Sequence, residues 1–246
     1  MDNAARLAAL AQATSRFGSD LAQLAPETPV PSCPGWTVED LALHLQDAYL
    51  WAVAALGTTQ RPERPHTGHT DETTLVEGYN TAAKLLLERL RETPADAPAW
   101  TFFAGDRTTA FWIRRMLHET VIHLVDLGLA GQRIIGEGAE IDPEVADDGI
   151  EEFLEVLLGR FVLADPGILP LPLRLTTTDT GSRWTVQMAG GEYSVAPTAD
   201  GDDAAVISGT AVQIYLALWD RLDRSVLHID GEGPAARHFL ASRIAP

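Results

Sequence analysis

Three residues of this sequence, on two segments, have the types and spacing to hold a metal ion. Glu119 and His123 stand four apart in His118-Glu119-Thr-Val-Ile-His123-Leu-Val-Asp126. On a helix they lie one turn above each other and can grip one ion. The other segment, Thr37-Val-Glu-Asp-Leu-Ala-Leu-His44, continues a row of Leu41, His44, Ala48 and Trp51 that falls on the core side of a helix. Two imidazoles and one carboxylate form a catalytic zinc set that leaves a coordination position open. Plainer readings stand beside this one. His44 alone reads equally as a buried histidine satisfied by a polar neighbour, and a Glu–His pair four apart is common on solvated helix faces. The joint occurrence argues for the metal, because Trp112, Glu119, His123 and Asp126 form a second row that again mixes ligand types with tryptophan.

The run His118-Glu119-x-x-x-His123 is not the zincin motif His-Glu-x-x-His. Its histidines are five apart, about 140° around a helix, so they do not share an ion and Glu119 becomes a ligand candidate rather than a general base. Asp126 has two readings, as the group that orients the His123 imidazole through its other nitrogen or as a surface carboxylate near a helix end. His66 and His69 read as exposed loop residues, and His228 and His238 have no partners nearby in sequence. Cys33, between Ser32 and Pro34, has no basic neighbour to depress its pKa and reads as structural.

The elements that must position these groups are helices. Leu7, Leu10, Phe17, Leu21 and Leu24 predict an amphipathic helix over roughly 3–25. After a proline-rich loop, Thr37 with Asp40 offers a capping box that opens a helix to about Leu56. Further helices are predicted near 71–92, 108–130 and 142–164, and long helices with short loops point to an antiparallel bundle. The character changes at Asp165-Pro-Gly-Ile-Leu-Pro-Leu-Pro172. Strand-like runs follow at Leu173–Thr178, Trp184–Met188 and Glu192–Val195, with Gly190-Gly191 as a hairpin turn. A helix over about Thr210–Leu222, a strand near Val226–Ile229 and a closing helix from Pro234 complete the pattern. The fold class is therefore α+β, with a helical bundle over 1–164 and a small α+β domain over 165–246.

With 46% hydrophobic residues the 246-residue chain can build a real core, and no apolar run approaches the ~20 residues of a membrane span. Eighteen Lys and Arg against 35 Asp and Glu leave a net charge of −17, which repels phosphate backbones and anionic lipid. Nucleic-acid and membrane partners are not expected. The start of the sequence lacks the layout of a signal peptide, so a cytoplasmic location is expected. A single cysteine excludes an intrachain disulfide and a thiolate metal cluster.

Pro34-Gly-Trp-Thr-Val-Glu-Asp-Leu-Ala-Leu-His44-Leu with Trp51, and His118-Glu119-x-x-x-His123-x-x-Asp126, resemble the two signatures of the mycothiol-dependent maleylpyruvate isomerase family, part of the DinB-like superfamily of metal-binding helical bundles. Gly209-Thr-Ala-Val-Gln-Ile-Tyr-Leu-Ala-Leu-Trp219-Asp-Arg221-Leu resembles its smaller C-terminal domain, so the resemblance covers nearly the whole chain. It implies zinc or another divalent metal held by His44, Glu119 and His123. It also implies mycothiol, the low-molecular-weight thiol of actinobacteria, as cosubstrate, and a small electrophile as substrate. Arg221 is then the candidate catalytic residue, an anion clamp at a helix end, with a surface ion pair to Asp220 or Asp223 as its plainer reading. The family pattern commonly has Gly where this sequence has Asp220, which puts a negative charge beside Arg221. Thiolate activation by the metal would serve cis–trans isomerisation or S-transfer equally well. A metal-dependent hydrolase of the same superfamily and a non-catalytic metal- or ligand-binding protein are the alternatives.

Overall fold

The computed structural model describes all residues except 68–73, 134–140, 198–204, 231–232 and 246. His69 and the expected start of the third helix at 71 lie outside the described residues. The chain divides into two compact units, Met1–Glu137 and Gly138–Pro246.

The first unit is built on four long helices, α1 (Asn3–Leu21), α2 (Val38–Ala55), α3 (Leu75–Glu92) and α4 (Thr109–Ala130). The starts of α1, α2 and α3 are written in the sequence. Asp2 accepts the Ala5 N–H at the head of α1, and Thr37 with Asp40 and Thr74 with Glu77 form capping boxes on α2 and α3. Each box satisfies backbone N–H groups that a helix start otherwise leaves without partners. α1 packs on α4 and α3, and α2 packs on α3 and α4, so α1 and α2 are diagonal across the bundle. Phe17, Leu41, Leu45 and Leu86 are fully buried between them, each contributing about 1.5–3 kcal/mol of hydrophobic burial.

A buried polar chain ties all four helices together. Tyr49 pairs with Thr120 Oγ1 at 2.7 Å and with the Tyr79 hydroxyl at 3.3 Å, and Tyr79 donates to the Thr14 carbonyl at 3.2 Å. Such a chain fixes register, because a slip along any helix strands a buried hydroxyl. Burial holds the Tyr49 phenol well above its usual range, so it stays a neutral donor.

The second unit begins with α5 (Pro143–Glu152), which passes through a π-helical segment (Phe153–Leu158) into α6 (Gly159–Ala164). A five-stranded sheet follows, in the order β3-β2-β1-β4-β5, from β1 (Leu173–Thr177), β2 (Arg183–Ala189), β3 (Glu192–Pro197), β4 (Ala205–Gly209) and β5 (His228–Asp230). β1 runs parallel to β4 and antiparallel to β2, and the remaining pairs are antiparallel, so the sheet is mixed. Gly190 and Gly191 both have positive φ in the β2–β3 turn, which the two-residue hairpin requires. Leu173, Leu175, Trp184, Val186 and Ile207 are buried, while α7 (Ala211–Leu218) and α8 (Gly233–Ala241) pack against β4.

The expected boundary at 164/165 is not where the chain divides. The helix over 143–164 joins the second unit because its partners are there. Asp147 accepts from the Thr180 hydroxyl at 2.7 Å and from Ser182, the Phe153 ring meets Trp219, and Tyr193 donates to the Leu154 carbonyl at 2.8 Å. That last bond takes a carbonyl inside the π segment, where the regular ladder is displaced. β4 carries no strand signal in the sequence reading, and the run expected as a strand from Val226 opens instead as a 3-10 turn (Arg224–Val226) before β5.

Candidate metal centre

α2 and α4 present the three residues singled out by spacing, and their packing brings them together. One ligand atom each from His44, Glu119 and His123 lies within 4.8 Å of the other two. His44 Nε2 donates to Glu119 Oε1 at 2.8 Å, and His123 Nε2 stands 3.7 Å from the same oxygen. One carboxylate oxygen therefore faces both imidazoles. The other is held from behind, where Arg115 Nη2 donates to Glu119 Oε2 at 3.0 Å.

His123 is fixed from its far side. Its Nδ1 donates to Asp126 Oδ2 at 2.8 Å, which turns Nε2 toward Glu119. Asp126 is fully buried and also accepts from Ser32 Oγ at 2.5 Å and Cys33 Sγ at 3.5 Å. Cys33, His123 and Asp126 make a second grouping of donor atoms. The Asp126 carboxylate is already committed to three donors, however, so we assign it to orientation rather than ligation. Trp36 packs on both imidazoles, with ring centroids 5.0 Å from His44 and 6.2 Å from His123.

The electrostatics follow from these contacts. Burial works against a charge on Glu119, but hydrogen bonds from His123 and His44 and the Arg115 charge outweigh it and hold the carboxyl well below its usual range. Burial likewise opposes a charge on His123, yet bonding to Asp126 and Glu119 pushes its pKa up to about 9. Two imidazoles and an ionised carboxylate converging on one point fit a divalent cation such as zinc.

The remaining histidines stand apart. His118 is buried in the core outside the cluster, His66 is largely exposed 3.7 Å from Asp47, and His228 bonds Asp230 at the surface. Arg221 lies in the second unit, just past α7, where its Nη1 donates to the Trp219 carbonyl at 2.7 Å. Asp220 beside it has φ 60°, a left-handed conformation that favours glycine, and its carboxylate lies 3.6 Å from Arg224. The glycine expected at this position therefore answers a backbone need, and the Asp220 charge faces Arg224. Sequence reasoning missed Arg115, although it stands four before Glu119 at the same spacing that marked His123. It also missed Ser32 and the place of Trp36, which come from loop geometry that no periodicity reports.

A four-helix bundle in which α2 and α4 bring two histidines and a carboxylate together, followed by a second unit with a mixed sheet, defines a helical-bundle protein with a candidate metal centre. The chain belongs to the mycothiol-dependent maleylpyruvate isomerase family. Residues 7–128 match the mycothiol maleylpyruvate isomerase N-terminal domain, and residues 144–238 match the MDMPI C-terminal domain. The fold is similar to the crystal structure of the mycothiol-dependent maleylpyruvate isomerase, with a TM-score of 0.59 and 19% identity over 94% of this chain and 95% of that one. A variant of that isomerase with a histidine replaced by alanine gives 0.58 and 20% over the same shares. At such identities the likeness is one of fold. No curated protein matches the sequence.

Proposed function

We propose that this chain is a metal-dependent enzyme that uses mycothiol to isomerise a small electrophilic cis-alkene, maleylpyruvate first among candidates, with S-transfer to an electrophile as the related outcome. The observation that carries this reading is the convergence of His44, Glu119 and His123 within 4.8 Å in a chain of this family. Bound there, zinc or another divalent cation would supply charge that favours the thiolate form of an incoming thiol at neutral pH.

The chain's own residues prepare that site. Asp126 holds the His123 Nδ1–H and so presents Nε2, while Arg115 holds one Glu119 oxygen and leaves the other for the ion. Trp36 packs against both imidazole rings. Cys33 is tied to Asp126, so the nucleophilic sulfur is assigned to the cosubstrate rather than to the protein. Arg221, steadied by the Trp219 carbonyl, is assigned as the clamp for a substrate carboxylate. A reduced thiol cosubstrate fits operation in the cytoplasm of an actinobacterium.

The test follows maleylpyruvate in the presence and absence of mycothiol, with zinc-loaded and chelator-treated protein. Turnover that requires both thiol and metal, and is lost in Glu119→Gln, supports the reading. Turnover without thiol contradicts it and points to metal-activated water, the hydrolase alternative.

A further inference from the structure

The second unit contains a cleft of about 700 Å³ that shares no residue with the metal-ligand cluster. That volume lies in the range of small-molecule sites. Its apolar lining includes Leu157, Phe161 and Ile168, and its basic side chains are Arg160, His238 and Arg243. Leu157, Arg160 and Phe161 come from consecutive turns of one helix face, where the π segment passes into α6. A π segment is uncommon and tends to occur where a helix face has been re-aimed for a function.

The charges around this cleft run against those of the chain. The net charge is −17, yet two arginines gather here around one carboxylate, Asp165, with His238 alongside. Asp165 already accepts the Gly167 N–H at 3.0 Å. Arg160 and Arg243 are exposed and make no hydrogen bond or ion pair among the described residues. Arginines left without partners beside an apolar surface suit a ligand with one anionic end, since a guanidinium pairs a carboxylate through two parallel bonds.

We propose that this cleft binds a small amphiphilic carboxylate, its apolar body against Leu157, Phe161 and Ile168 and its carboxylate at Arg160 and Arg243. The site is separate from the proposed metal chemistry and does not depend on it.

Calorimetric titration of octanoate, with 1-octanol as the uncharged control, tests the proposal on metal-loaded and chelator-treated protein. Saturable one-to-one binding of octanoate is expected in both preparations, with octanol weaker. In the Arg160→Gln, Arg243→Gln double variant, octanoate affinity should fall about tenfold or more, the scale of lost charge-assisted bonds. Both residues are exposed, so the variant should keep its thermal transition. Absence of saturable octanoate binding overturns the proposal. So does equal affinity in the double variant, or binding that vanishes with the metal.

Discussion

At Asp126 three donors meet one carboxylate, from Ser32, Cys33 and His123, and the consequence is felt at the far nitrogen of His123. Asp126→Asn keeps the shape and removes the charge that steadies the ring. Metal affinity, measured by competition with a chromophoric chelator, should fall 10–100-fold. An unchanged affinity would show that Asp126 serves the fold alone. The pH dependence has a defined sign. His123 has its folded pKa raised from 6.5 to about 9, so its stabilising contribution is complete below pH 6.5 and is lost as pH climbs through 9. Glu119 is depressed from 4.5, so its contribution is present above that value and is lost as pH falls through the folded-state pKa. The urea midpoint of metal-free protein should therefore drop between pH 6.5 and 9. Over the same window apparent metal affinity should rise, about tenfold per pH unit, as the ion displaces the His123 proton. The three ligand candidates were legible because helical spacing reports which side chains share a face. Arg115 shares that spacing but is not a metal-ligand type, so the ligand pattern does not include it.

Helix starts were the most legible elements, since a Thr three residues before an acidic side chain names both the cap and the first turn, as at Thr37 and Asp40. The π segment was not legible. The donor that accompanies it, Tyr193, is distant in sequence, and Gly159 makes room for the same ring, since a Cβ there would meet Tyr193 at 2.9 Å. β4 was missed because five residues with three apolar side chains carry too little pattern. Its strand character comes from pairing with β1 and β5. At the end of α7, Asp220 offers a clean test of backbone against charge. Its carboxylate is mostly exposed, and the 3.6 Å contact with Arg224 is worth little at the surface. Asp220→Gly should leave stability unchanged or raise it by up to ~1 kcal/mol in chemical unfolding, through relief of the left-handed conformation. A loss greater than ~1 kcal/mol would assign the position to its charge instead.

At the scale of the whole molecule, the α+β class and the change of character between a helical first part and a mixed second part were readable from the order of periodicities. The boundary was not, because periodicity identifies the helix over 143–164 without naming its partners. Tyr193, Trp219 and Thr180 place it in the second unit. The same division separates the groups to which function is assigned. The first unit holds the candidate ligand cluster, and the second holds Arg221 and the basic cleft. In the proposed function, a metal at His44, Glu119 and His123 activates a thiol brought from outside. The most direct measurement is calorimetric titration of mycothiol into zinc-loaded protein, in two buffers of different ionisation enthalpy. A Glu119→Ala, His123→Ala double variant serves as control. Metal-dependent binding with release of about one proton, absent in the control, is expected. Fully metallated protein that binds no mycothiol, or binds it without losing a proton, would contradict the claim.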